Sequence, residues 1–593
     1  MGRRGILRWM IALPAVAVLG LRRAFAAQGR VRPGEADWPS EADWDSLRQA
    51  VGGRLDKVER PKLDHAEAEK LLHNPFYLRN TPAFTGSSGW LNAWRSEPSA
   101  YVVKAKDAAD VAAAVKFARA HRLKLVVKGG GHSYVGGSCA PDSLLIWTRY
   151  MDNVALHDAF VPEGCDAKPV PAVSLGAGCV WLDAYEAVTT EGGRYVQGGG
   201  CTTVGVAGLV LGGGFGSFSK AFGLAAASLL EAEIVTADAQ THIVNTSREP
   251  DLFWALTGGG QCAFGVVTRL TLATHDLPAT FGGVSWTVQA TSDAAYRRLL
   301  RRFLDFYGRR LMNPHWGEQA HAHPGNQLEI GMAFQGLTPE EATATWKELT
   351  DEVAAHSDDY KIVEAFSTPA VPAQMYWNGP MLNKFAPGLV TFDDRPGAKP
   401  GDFWYPGDGV QASIFWHGYQ SAWLPAALLE GEELDRLADA WFAASRYWSV
   451  SFHFNKGLAG ADLEVRAAAR QASINPEVAD AFALAIVAMA GGSLYPELTP
   501  PDMAVARDHA QKIDAAMNAL RAAAPGAGCY ISECDYFLQD WGKAQWGTNW
   551  QRLERVKRRY DPDGLFVIHH GVGSGTWSED GFTPVRAASA SGV

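Results

Sequence analysis

Three glycine clusters crowd into residues 128–216: Lys128-Gly129-Gly130-Gly131-His132-Ser133-Tyr134, Gly198-Gly199-Gly200-Cys201-Thr202-Thr203-Val204-Gly205 and Gly212-Gly213-Gly214-Phe215-Gly216. Successive glycines let backbone N–H groups converge on an anion, and the missing Cβ lets a pyrophosphate or a flat ring lie against the chain. Turn-making accounts for one such cluster more readily than for three in one domain. No G-x-G-x-x-G occurs, so a Rossmann domain would lack its fingerprint and another dinucleotide-binding fold is required.

Strand and helix patterns alternate around the clusters. Tyr101-Val102-Val103 reads as a strand, 107–121 as a helix with Val111, Val115 and Ala118 on one face, and Leu125-Val126-Val127 as a second strand. A strand at 172–175, a helix at 180–190 and a strand at 232–236 carry this rhythm to about Thr274. Beyond Leu277, two-periodic strands at 283–288, 327–334, 411–419 and 449–454 mix with amphipathic helices at 293–307, 339–355 and 502–523. That mixture predicts an α+β chain whose second domain is an antiparallel sheet backed by helices. The tail reads as a helix at 550–560, a proline turn at Asp561-Pro562 and a strand at 565–568. The expected division is a leader at 1–27, an N-terminal extension at 28–95, a cofactor domain at 96–276, a substrate domain at 277–540 and a segment at 541–593 returning to the first domain.

At roughly 150 residues per domain, 593 residues leave room for about four domains or two large ones. With 54 Lys+Arg against 64 Asp+Glu the net charge is −10, the wrong sign for neutralising phosphates, which excludes nucleic acid as a partner. Seven cysteines form no C-x-x-C pair, and their odd number leaves at least one outside any disulfide. His321 with His323, and His569 with His570, lack further ligands at a metal-site spacing, so no metal is expected. No G-x-S-x-G hydrolase elbow is present.

Residues 1–27 carry Arg3, Arg4 and Arg8, an apolar run from Trp9 to Leu21 and Ala24-Phe25-Ala26-Ala27 as a cleavage site. The Arg3-Arg4 pair resembles a twin-arginine signal, which exports folded, cofactor-loaded proteins, so a periplasmic or secreted protein is expected. The run is too short to span a bilayer and no later stretch is long enough, so no stable membrane insertion is expected after cleavage.

The sequence resembles the berberine-bridge-enzyme-like branch of the vanillyl-alcohol-oxidase / p-cresol-methylhydroxylase flavoprotein family. The resemblance runs over about 97–274 and 560–570. It rests on Gly130-Gly131-His132-Ser133-Tyr134, Gly176-Ala177-Gly178 with Trp181, Cys201-Thr202-Thr203-Val204-Gly205, Gly212-Gly213-Gly214-Phe215-Gly216-Ser217 and Tyr560-Asp561-Pro562. It implies a two-lobed FAD-binding domain beside the substrate domain. It also implies FAD bonded twice, through His132 to the 8α-methyl and through Cys201 to ring carbon C6. Gly129, Gly130, Gly131, Ser133, Thr203, Val204, Gly205, Gly212, Gly213, Gly214 and Gly216 complete the implied cofactor site. Residue chemistry agrees, since a thiolate and a neutral imidazole are both nucleophiles and both stand among glycines that admit a flat ring.

Two departures stand out. Leu209 replaces a histidine that plant members place on the pyrophosphate, and Tyr530-Ile531-Ser532-Glu533 replaces the family's Tyr-x-Asn-Tyr, whose last tyrosine is a base. Glu533 is therefore the expected base, with Tyr530 and Tyr419 beside it as catalytic candidates. Tyr405, His417 and His453 are further acid–base candidates, and strand alternation puts His417 and Tyr419 on one face. The reading is an exported oxidase of alcohols or sugars that reduces O2 to hydrogen peroxide, since relatives with valine at the Val204 position tend to be oxidases. The rivals are a dehydrogenase serving a quinone or cytochrome and a secreted flavin-bearing binding protein without turnover. Substrate identity and oligomeric state stay open.

Overall fold

A computed structural model describes residues 29–585, so the expected leader lies outside the described residues. Leu55–Lys57, Tyr101–Lys104, Ser143–Trp147 and Lys124–Lys128 form a four-stranded sheet in that order, and all but the first strand run parallel. Helix Ala108–Ala120 crosses over this sheet. Asp107 caps it by accepting from the Asp110 N–H, and Val111, Ala114, Val115 and Ala118 are its buried stripe. The second lobe is a five-stranded antiparallel sheet, ordered Thr241–Val244, Leu229–Val235, Val266–Ala273, Val170–Gly176 and Val154–Phe160.

The second domain is built on a nine-stranded sheet. Helices Asp293–Phe306, Pro339–Ala355, Gly431–Ser445 and Met503–Arg521 back it, and their apolar stripes meet in one core. In Asp293–Phe306 the buried positions Tyr296, Leu299, Leu300, Phe303 and Leu304 fall at three- and four-residue intervals. Each such side chain contributes about 1.5–3 kcal/mol of transfer free energy. The sheet's opposite face looks onto the glycine clusters. Lys220, from the glycine-cluster side, is buried and donates to the carbonyls of Phe454, Gly457 and Phe482, tying the two domains together.

Four expectations need correction. The segment 28–95 is more than an extension packed on the body, because Leu55–Lys57 pairs with Tyr101–Lys104 while Ser87–Trp90 pairs in parallel with Ile414–Pro425. The expected strand at 565–568 is absent, because the Leu565 and Phe566 N–H groups donate to the Asp561 carboxylate instead of to a neighbouring strand. His417 and Tyr419 do not share a face. A bulge between Trp416 and Gly418 shifts the alternation by one residue, sending His417 to His509 on helix Met503–Arg521 and leaving Trp416 and Tyr419 on the opposite side. The helix expected at 180–190 is a short helix, Trp181–Tyr185, that widens into a π-turn over Glu186–Glu191.

Candidate active site

A cavity of about 690 Å³ separates the glycine clusters from the substrate sheet. Gly129, Gly130, Gly131, His132, Ser133, Cys201, Val204, Gly205 and Gly216 line it from one side, and Tyr419, Tyr530 and Glu533 from the other. Thr203, Gly212, Gly213 and Gly214 stand behind this wall. Thr203 supports the His132 ring, and the Gly212–214 turn packs against Tyr530. Leu209 also lines the cavity.

Backbone contact between the first two clusters brings His132 and Cys201 together. A Cβ on Gly130 would stand 2.6 Å from the Gly205 nitrogen, an approach only glycine permits. Lys128, fully buried, donates to the carbonyls of Leu78, Thr81 and Phe84 at 2.6–2.8 Å and anchors the first cluster from below. His132 Nε2 lies 3.0 Å from Thr203 Oγ1, and the ring also meets the Thr203 backbone. Burial pulls the His132 pKa down to about 4, so the ring is a neutral imidazole at ordinary pH. Burial, with the Asp408 carboxyl next to it, pushes the Cys201 thiol up. Asp408 also accepts from the Thr202 N–H at 3.2 Å. A glycine-walled cavity with a neutral imidazole and a thiol on one side fits a flavin dinucleotide in size and in chemistry.

Three charged groups meet on the substrate side. Lys456 Nζ lies 2.6 and 2.5 Å from the two oxygens of Glu533. Glu318 is the third, and sequence reasoning missed it. It lies in strand Trp316–His323 at a left-handed φ of +66°, rare for a residue with a side chain and typical of positions held by function or packing. The packing reason is next to it: a Cβ on Gly317 would stand 1.7 Å from the Ser217 carbonyl, so this strand presses directly on the third glycine cluster. Burial raises the Glu318 pKa, with Ser217 and Lys456 opposing. Asn455 Nδ2 is 3.4 Å from its Oε1.

Tyr134, Trp416 and Tyr419 form an aromatic wall of the cavity, with Tyr134–Trp416 centroids 4.5 Å apart. His453 also lines the cavity, held neutral by burial. Tyr405 is turned away, its hydroxyl on the Tyr376 carbonyl, and His417 is on the helix side. Neither Glu318 nor Lys456 carries a motif, and a glycine before a glutamate in a weakly alternating strand was the only local sign.

The family model described as an FAD binding domain matches residues 98–245, and the one described as berberine and berberine like matches residues 529–573. The chain is 28% identical to the VAO-type flavoprotein oxidase VAO615 of Thermothelomyces thermophilus, over 93% of this chain and 94% of that one. It is 27% identical to the FAD-linked oxidoreductase notD' of Aspergillus versicolor, over 93% and 89%. Among solved structures, the VAO-type flavoprotein MtVAO615 from Myceliophthora thermophila C1 superposes with a TM-score of 0.73 at 24% identity, covering 93% of this chain and 98% of that one. The glucooligosaccharide oxidase of Acremonium strictum, which carries a 6-S-cysteinyl, 8α-N1-histidyl FAD, gives 0.64 at 18%, covering 89% and 99%.

Proposed function

Because this chain belongs to the berberine-bridge-like, VAO-type flavoproteins and is thus an FAD-dependent oxidoreductase, we propose that it is an exported oxidase of alcohols or sugars. FAD, joined to His132 and Cys201, would supply hydride acceptance at N5 and return of the electrons to O2 as hydrogen peroxide. The observation carrying this reading is the single cavity that sets His132 and Cys201 opposite Glu318, Lys456 and Glu533.

The protein's own part is to bind the substrate, orient it and take its hydroxyl proton. Glu533, expected as the base, already has both oxygens occupied by Lys456. Glu318 has no such clamp, and burial raises its pKa, which suits it to take a proton. We therefore assign the proton to Glu318, and to the Glu533–Lys456 pair, with Tyr530 and Tyr419, the holding of the substrate hydroxyl. The wall of Tyr134, Trp416 and Tyr419 offers stacking faces to a sugar or aromatic ring, in keeping with the oligosaccharide oxidases among the structural relatives. Val204 lines the cavity, at the position where valine favours the oxidase reading.

The test is an aerobic screen of sugars, primary alcohols and aromatic alcohols, reading hydrogen peroxide against substrate consumed. One peroxide per substrate supports the oxidase. Turnover only with an added quinone or cytochrome refutes it in favour of a dehydrogenase, and no anaerobic flavin bleaching with any of them refutes turnover.

A further inference from the structure

The loop Tyr530–Glu533 that faces the cavity is bracketed by two cysteines, Cys529 and Cys534, which no part of the proposed reaction uses. One side-chain oxygen draws the two ends of this loop together. Ser421 Oγ accepts from the Tyr530 N–H at 3.3 Å and donates to the Glu533 carbonyl at 2.5 Å. The Glu533 N–H closes a turn onto the Tyr530 carbonyl at 2.9 Å. The next residue outward on each side is a cysteine, and the neighbouring Cys534 thiol, together with burial, pushes the Cys529 thiol up. Both side chains are buried. Cys534 Sγ accepts from Gln545 Nε2 at 3.1 Å and donates to the Ile531 carbonyl at 3.5 Å. Cys534 also borders a separate cavity of about 50 Å³, shared with His132, Ser133 and Gln545. A cavity needs about 10–15 Å³ to hold one water, so this one has room for a hydrogen peroxide molecule.

We propose that Cys529 and Cys534 are a redox site at which hydrogen peroxide forms a disulfide that closes residues 529–534 into a ring and fixes Tyr530 and Glu533 against the cavity. The Cys534 thiolate attacks one peroxide oxygen. An S–O bond forms, the O–O bond breaks, and the departing hydroxide takes up the thiol's proton as water. Cys529 then attacks the Cys534 sulfur. The S–S bond forms, the S–O bond breaks, and the second hydroxide leaves as water with the Cys529 proton. Two thiols lose two electrons and two protons, and one peroxide becomes two waters.

The flavin-loaded chain is exposed to added hydrogen peroxide, unfolded in iodoacetamide and cut with trypsin, which releases residues 522–543 between Arg521 and Lys543. The expected result is that this peptide loses both of its alkyl labels and the mass of two hydrogens, while peptides carrying Cys139 and Cys165 stay labelled. In Cys529→Ser, which has no resolving thiol, dimedone should instead trap a sulfenic acid on Cys534. Full alkylation of both cysteines after peroxide treatment overturns the proposal. So does direct conversion of Cys534 to sulfinic acid in the parent protein. Because the peroxide is added, neither result depends on whether the protein is itself an oxidase.

Discussion

Lys456 Nζ donates to both carboxylate oxygens of Glu533, at 2.6 and 2.5 Å, while Glu318 in the same cavity carries no comparable clamp. The two glutamates therefore differ in their freedom to accept a proton. General-base assistance is typically worth about 10²–10⁴-fold, so Glu318→Gln should slow anaerobic flavin reduction by about that factor with the flavin spectrum intact. Glu533→Gln should act mainly on KM. The sign of the pH dependence follows from burial. A base must be deprotonated, and Glu318 is shifted above the usual carboxylate range, so the rate should fall with decreasing pH at a higher pH than an exposed glutamate would give. Stopped-flow reduction across pH checks this, and loss of the acidic limb in Glu533→Gln instead would return the base to Glu533.

His132 and Cys201 make a separate claim. Acid-precipitated protein should stay yellow in the parent and in each of His132→Ala and Cys201→Ala, and should lose its colour only in the double variant. The single variants should differ in absorption, since one keeps the sulfur on the ring and the other does not. Release of free FAD from the parent on precipitation defeats the double linkage.

The parts legible in the sequence were those whose signal is local. The glycine clusters, the capped helix Ala108–Ala120 and the strands Tyr101–Lys104 and Lys124–Lys128 announce themselves through apolar runs and turn residues. Strand Ala481–Ala490 escaped because most of its length is buried, which erases the two-residue period. Strand Trp316–His323, with its Ala, His and Gly, lacks the β-branched residues that mark strands. Glu318 went unseen with it, since its meaning comes from Ser217 pressing on Gly317 from the other domain. The Trp416–Gly418 bulge, which separates His417 from Tyr419, depends on pairing with Ala490 and Met489 and leaves no trace in the residues themselves.

Val204 bears on oxygen. Its side chain lines the cavity one residue from Thr203, which holds the His132 ring. Val204→Leu adds one methylene at the cavity wall, so it should slow reoxidation by O2 while leaving anaerobic reduction by substrate nearly unchanged. Rapid-mixing measurement of the two half-reactions separates the effects, and equal losses in both would assign Val204 to the substrate site.

The tail supplies a stability prediction. Lys557 and Asp561 form a buried ion pair at 2.6 Å, with side chains only 5% and 0% exposed, and Lys557 Nζ also donates to the carbonyls of Ala263 and Phe566. Asp561 in turn accepts from the Leu565 and Phe566 N–H groups, pinning two residues that pack into the first lobe's core. Removing one partner of a buried pair strands a charge and typically costs about 3–5 kcal/mol, whereas removing both together costs far less. Lys557→Met should therefore lower the thermal midpoint sharply, and so should Asp561→Asn. The double variant should be less destabilised than the sum of the two, because neither charge is left without its partner. Thermal unfolding of the flavin-loaded protein measures all three, and strict additivity would show that the two groups act independently despite their contact.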